Sequence, residues 1–154
     1  MDLIKLDLND LSSVKCEFYK TDMPFNQRSE VLVVKFIGEC GFGSQSNDDA
    51  VYMSAMIAAG FMAWHPFGLI LDLSELKYEW GDMMDRVISP PYHLIGSCED
   101  DIYPFALIIS DINRKGLTSL IKEEMMEEPK DFLFETLDEA LIRVDEMAKE
   151  YYKI

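Results

Sequence analysis

Two short runs constrain this chain more than any other feature. Val31 to Ile37 is apolar at every position except Lys35, and Leu69 to Leu73 is apolar except at Asp72. Runs of that kind are strands covered on both faces, which is the situation of a parallel sheet packed between helices. Between them, Ala50 to Trp64 reads as a helix apolar almost all round, and Ala55, Ala58, Ala59 and Ala63 are small enough to let a sheet approach closely. Asn47 or Asp48 stands where a cap belongs.

The remaining elements follow the same logic. Val14 to Tyr19 alternates, with Val14, Cys16 and Phe18 on one side, and predicts a half-buried strand pairing with Val31–Ile37 as a hairpin. Trp80, Met83, Met84, Val87 and Ile88 recur at helical spacing until Ser89-Pro90-Pro91 stops them. Phe105 to Ser110 predicts a strand, Leu117, Leu120 and Ile121 a helix, and Phe132 to Phe134 a short strand. Thr136-Leu137-Asp138-Glu139 is a capping box, and Leu137, Ala140, Leu141, Val144, Met147, Ala148 and Tyr151 form the apolar stripe behind it. The expectation is one α/β domain over 1–154, with a mixed, mainly parallel sheet, an N-terminal hairpin and packed helices.

Charge narrows the function. Against 14 Lys and Arg stand 29 Asp and Glu, for a formal charge of −15, divided as −5 over residues 1–77 and −10 over 78–154. Such a chain repels nucleic-acid phosphate and anionic lipid, and it draws in a basic protein. The plain alternative is that the carboxylates serve solubility. Ala50 to Leu71 carries no formal charge over 22 residues. It contains Gly60, Pro66 and Gly68 and has no Lys or Arg at either flank, so helix, turn and strand is the better parse than a membrane span. MDLIKLDLNDL has acids where an export signal carries bases. Cys16, Cys40 and Cys98 are odd in number and form no C-x-x-C pair, which fits a reducing, cytoplasmic setting.

Other chemistries lack a residue or a spacing that they need. The turn Gly38 to Ser46 lies between strand and helix, where free amides hold phosphate, yet it lacks a Walker lysine and places Glu39, Asp48 and Asp49 nearby. Cys40 sits at a strand-to-helix turn without the glycine that a nucleophile elbow needs at Phe42. His65 and His93 have no metal-ligand spacing, and Asp72 with Ser74 reads as a turn pair. Asp82 with Asp85, and Glu123-Glu124 with Glu127-Glu128, read as solvated charge. No cofactor or metal is expected. What remains is aromatics set among acids. Tyr78, Trp80, Asp82, Asp85, Glu99, Asp100, Asp101 and Tyr103 form the expected partner-binding set, although Trp80 also fits the core stripe of its helix. The apolar helix Ala50–Trp64 leaves a homodimer open.

Leu69-Ile70-Leu71-Asp72-Leu73-Ser74-Glu75-Leu76, the helix after it, and Phe134-Glu135-Thr136-Leu137-Asp138-Glu139-Ala140-Leu141 resemble the STAS family, the fold of anti-sigma-factor antagonists and related bacterial regulators. The resemblance covers residues 14 to 152 in element order. Regulatory members carry an Asp-Ser-Ser-Gly phosphoacceptor after the corresponding strand. Glu79-Trp80-Gly81-Asp82 stands there instead, so the serine switch does not carry over. In size, acidity and lack of catalytic residues the chain is also similar in type to immunity proteins of bacterial toxin systems. The resulting expectation is a non-catalytic immunity or inhibitor protein for a basic toxin, such as a nuclease. The alternative is a STAS-like regulatory module binding a protein or a small ligand through the Gly38–Ser46 turn.

Overall fold

The computed structural model describes residues 1–21, 30–81, 83–97, 101–123 and 133–153. The expected hairpin is β1 (Lys15–Lys20) against β2 (Val31–Glu39), antiparallel with Phe18 opposite Val34. The long helix α1 (Asn47–Trp64) leads to β3 (Gly68–Lys77), which pairs parallel with β2. The short helix α2 (Met84–Ile88) and a π turn over Pro91–Ile95 precede β4 (Phe105–Ile108). Helix α3 (Arg114–Glu123), β5 (Leu133–Phe134) and α4 (Leu137–Tyr151) complete the order. The fold is α/β, with a mixed five-stranded sheet in the order β1-β2-β3-β4-β5 that is parallel from β2 onward.

When consecutive parallel strands are neighbours and every crossover has one hand, the crossover helices must share a face. Residues of α1, α2 and α3 accordingly join Leu32, Val34, Phe36, Leu69, Leu71, Leu73 and Leu107 in one core. Helix α4 packs on the opposite face, where Ala140, Leu141, Val144 and Ala148 meet Val33, Ile70, Ala106 and Ile108. Its capping box forms as read, with Thr136 accepting from the Glu139 amide. Leu137, expected on the buried stripe, is 43% exposed because it lies in the first turn, ahead of the sheet contact.

Four local expectations change. The strand read as Leu69–Leu73 runs on to Lys77 across a bulge. There the Asp72 carboxylate accepts from the amide (3.0 Å) and hydroxyl (2.6 Å) of Ser74, so the pair expected at a turn sits inside the strand, at its bulge. The strand read as Phe105–Ser110 stops at Ile108, since the backbone then turns through Ser110–Asn113. Helix α1 begins without a side-chain cap from Asn47 or Asp48. The helix expected from Trp80 begins only at Met84, because Gly81 adopts φ +149 and interrupts it. The uncharged run divides as expected, with His65 at φ 43 closing α1 before β3. No helix among the described residues is long and apolar enough to cross a membrane. Phe132 lies outside the described residues.

Candidate functional site

Open α/β sheets present ligands with a crevice at the carboxyl ends of their parallel strands. Here that end is built by three loops. Strand β3 runs on past the end of β4, which reaches only Asp72, so the β3 carbonyls beyond that point need other donors. Side chains of the Ser110–Asn113 turn supply them. Asn113, itself buried, donates from Nδ2 to the carbonyls of Leu73 (2.5 Å) and Leu76 (2.9 Å), and Ser110 Oγ donates to the Ser74 carbonyl (2.7 Å). Asn113 Oδ1 accepts from the Ser110 amide at 3.0 Å, closing the turn.

The turn fixes the floor of a cleft of about 560 Å³, bounded by Tyr78–Trp80 on one side and Ile112–Ser119 on the other. Gly116 of α3 comes so close to the loop that a Cβ there would stand 2.5 Å from the Glu79 carbonyl oxygen. Trp80 is 60% exposed and Ile112 48%, an apolar pair of walls with Glu79, Asp111 and Lys115 among the charged groups around them. The indole does not hang free. Its ring lies over Gly43, where a Cβ would meet it at 2.4 Å, and the Trp80 carbonyl accepts from the Gly43 amide at 3.2 Å.

The expected partner-binding residues do not gather into one surface. Tyr78 is a core residue, 2% exposed, and its hydroxyl donates to the Gly81 carbonyl at 2.9 Å. Tyr103 is also in the core, with its hydroxyl on the Pro66 carbonyl and its ring edge-on to Phe61. Both phenols are used internally, which removes them from the expected contact surface. Asp101 is exposed, but it precedes β4 at the amino end of the parallel strands, whereas Trp80 follows β3 at the carboxyl end. The length of β3 separates the two ends by roughly 30 Å. Asp85 is half-buried on α2. Asp82, Glu99 and Asp100 lie outside the described residues. Trp80 alone of the named aromatics is presented to solvent, the reverse of its place on a core stripe. Ile112 and Gly116, which complete the cleft, give no signal in the sequence beyond their position after a strand.

Compared with protein-family models and with curated proteins, the chain matches none.

The glycine turn is already occupied by the protein itself. Asp49, 8% exposed, accepts from the Gly41 amide at 2.9 Å and from Ser12 Oγ at 2.6 Å. Gly43 and Gln45 donate to the carbonyls of Trp80 and Phe42. A carboxylate fixed where an anion would sit repels a second one. Cys40 is 4% exposed, and burial, then the charges of Asp49 and Glu39, push its thiol up to about 12. A nucleophile needs the opposite shift. Cys16 is likewise raised to about 12, mainly by burial. In a Cys98→Ser variant, native alkylation at pH 8 is therefore expected to run at least about a hundredfold slower than in urea. Fast native labelling at Cys40, located by peptide mass, would restore the nucleophile reading. Among the described residues no three His, Cys, Asp or Glu side chains group in a way that holds a metal.

Proposed function

We propose that the chain is a non-catalytic protein-binding domain that receives a basic partner in the cleft at the carboxyl ends of β3 and β4. The observation that carries this reading is Trp80, 60% exposed and held against Gly43. A large aromatic ring fixed before binding loses little conformational freedom on contact, which is why such residues dominate interface energetics. The charge of −15 supplies a field that speeds the approach of a cationic protein. The same pairing of acidity with an aromatic anchor favours an inhibitor of the immunity type, with a basic toxin as its target. A small anionic ligand at the Gly38–Ser46 turn has less support, since Asp49 already fills that turn.

The test compares immobilised wild-type protein with Trp80→Ala and Asp101→Lys variants in the same native lysate, eluting with rising salt. A basic protein that is held by wild type, released at moderate salt, retained by Asp101→Lys and weakened about tenfold by Trp80→Ala is the expected result. Identical retention on wild type and Trp80→Ala removes the cleft from recognition. A retained partner with nuclease activity that the chain suppresses would establish the inhibitor reading.

A further inference from the structure

Residues 1–7 form neither helix nor strand, and Leu3, Ile4 and Leu6 are 95%, 86% and 87% exposed. Strand β1 hydrogen-bonds β2 on one side, and among the described residues no strand pairs with its other edge. An open edge is a template for a further strand. Beside this one lies a groove of about 180 Å³, lined by Phe18, Leu32, Trp64 and Pro66 among others. Trp64 is 55% exposed there, and its ring centroid lies 5.1 Å from that of Phe18.

The two segments match in one register. When residues 2–6 are laid antiparallel along β1 with Ile4 opposite Phe18, Leu3 falls opposite Tyr19 and Leu6 opposite Cys16. Lys5 then falls opposite Glu17, and Asp2 opposite Lys20 beside its present partner Glu30. Every apolar residue meets an apolar one and every charge meets its opposite. A slip of one residue either way destroys this, setting Ile4 on Glu17 with Leu6 on Lys15, or Lys5 on Phe18 with Leu6 on Glu17. Directly opposed residues share a face of the sheet. Cys16 and Phe18 lean on the core beneath α1, so Ile4 and Leu6 would prolong that core towards Trp64.

Within its own chain the segment does not lie on β1, since Leu3, Ile4 and Leu6 are almost fully exposed and residues 1–7 form no strand. The Asp7 carboxylate caps the 3-10 turn Leu8–Leu11, accepting from the amide (2.9 Å) and side-chain nitrogen (3.1 Å) of Asn9. Leu11 packs on the core, and Ser12 is tied to Asp49 at the start of α1. We propose that residues 2–6 of one copy add as a strand to β1 of a second copy, and the reverse, giving a two-fold dimer by reciprocal strand addition. This pairing does not depend on the cleft at Trp80.

Sedimentation of the full chain across a concentration series tests it, since the affected side chains are exposed and their replacement spares the fold. A monomer–dimer equilibrium is expected. Lys5→Glu and Glu17→Lys should each raise its dissociation constant about tenfold, because each replaces two attractive pairs by two repulsive ones. The double variant should return it to near the wild-type value. A monomer at every concentration, or a double variant no better than the singles, overturns the proposal. Leu6→Cys in a Cys98→Ser background separates the two possible edges. Oxidation to a disulfide-linked species of twice the mass through Cys16 supports the second copy, and an intrachain disulfide through Cys16 overturns it.

Discussion

Asn113→Leu is expected to lower unfolding stability by about 3 kcal/mol, read as a shift of the urea midpoint at unchanged slope. The side chain is 1% exposed and forms three hydrogen bonds to backbone groups, two to β3 carbonyls and one from the Ser110 amide. Leucine fills a similar volume but offers neither donor nor acceptor. The buried polar groups it abandons keep the cost of their desolvation, about 1–3 kcal/mol each when nothing replaces the partner. The loss should not stop at stability. Asn113 acts where β4 has ended and β3 continues, so it substitutes for the missing strand and holds the Ser110–Asn113 turn at the floor of the cleft. If the cleft receives a partner as proposed, its retention should therefore fall even at temperatures where the variant is fully folded. A loss below about 0.5 kcal/mol would mean that water or a neighbouring group supplies those carbonyls equally well.

The parts of the fold that depend on burial pattern are legible in the sequence. Val31–Ile37 and Leu69–Leu73 are apolar on both faces because the sheet is covered by α1, α2 and α3 on one side and α4 on the other. The capping box at Thr136 was legible because its two hydrogen bonds are local. Less legible were features set by contacts distant in sequence. Trp80 shares the helical spacing of Met84, Val87 and Ile88, and only the φ of +149 at Gly81 detaches it from that stripe. Tyr78 and Tyr103 look like interface aromatics in sequence, yet their hydroxyls find carbonyls at Gly81 and Pro66 and the rings enter the core. The pairing of Asp49 with Gly41 and Ser12 closes a turn that composition alone marks as open to an anion. Above all, residues before and after a strand are neighbours in a list but lie at opposite ends of the sheet. That is why Asp101 and Trp80 cannot share one small interface.

The wall of the cleft gives the second prediction, in which two rules disagree in sign. Gly116 lies inside α3, where helix propensity favours alanine by about 1 kcal/mol. Packing says otherwise. A Cβ at this position would stand 2.5 Å from the Glu79 carbonyl oxygen and 3.0 Å from the Tyr78 ring, and the nearer atom is backbone, which cannot rotate away. Relief requires α3 and the Tyr78–Gly81 loop to separate, and Tyr78 is anchored in the core by packing and by its bond to Gly81. Overpacking of this kind costs about 1–3 kcal/mol in most cores, so after the gain in helix propensity Gly116→Ala should be destabilising by up to about 2 kcal/mol net. Ser119→Ala, one turn further along α3 and exposed, is the matched control, expected to change stability by less than about 0.5 kcal/mol. The pair isolates the contact from the propensity of the helix. Because the loop carries Trp80, the proposed binding at the cleft also expects Gly116→Ala to weaken partner retention, although glycine has no side chain to offer a partner. A stabilised Gly116→Ala variant would show that the loop does not press on α3, and the cleft would lose the wall that fixes its aromatic anchor.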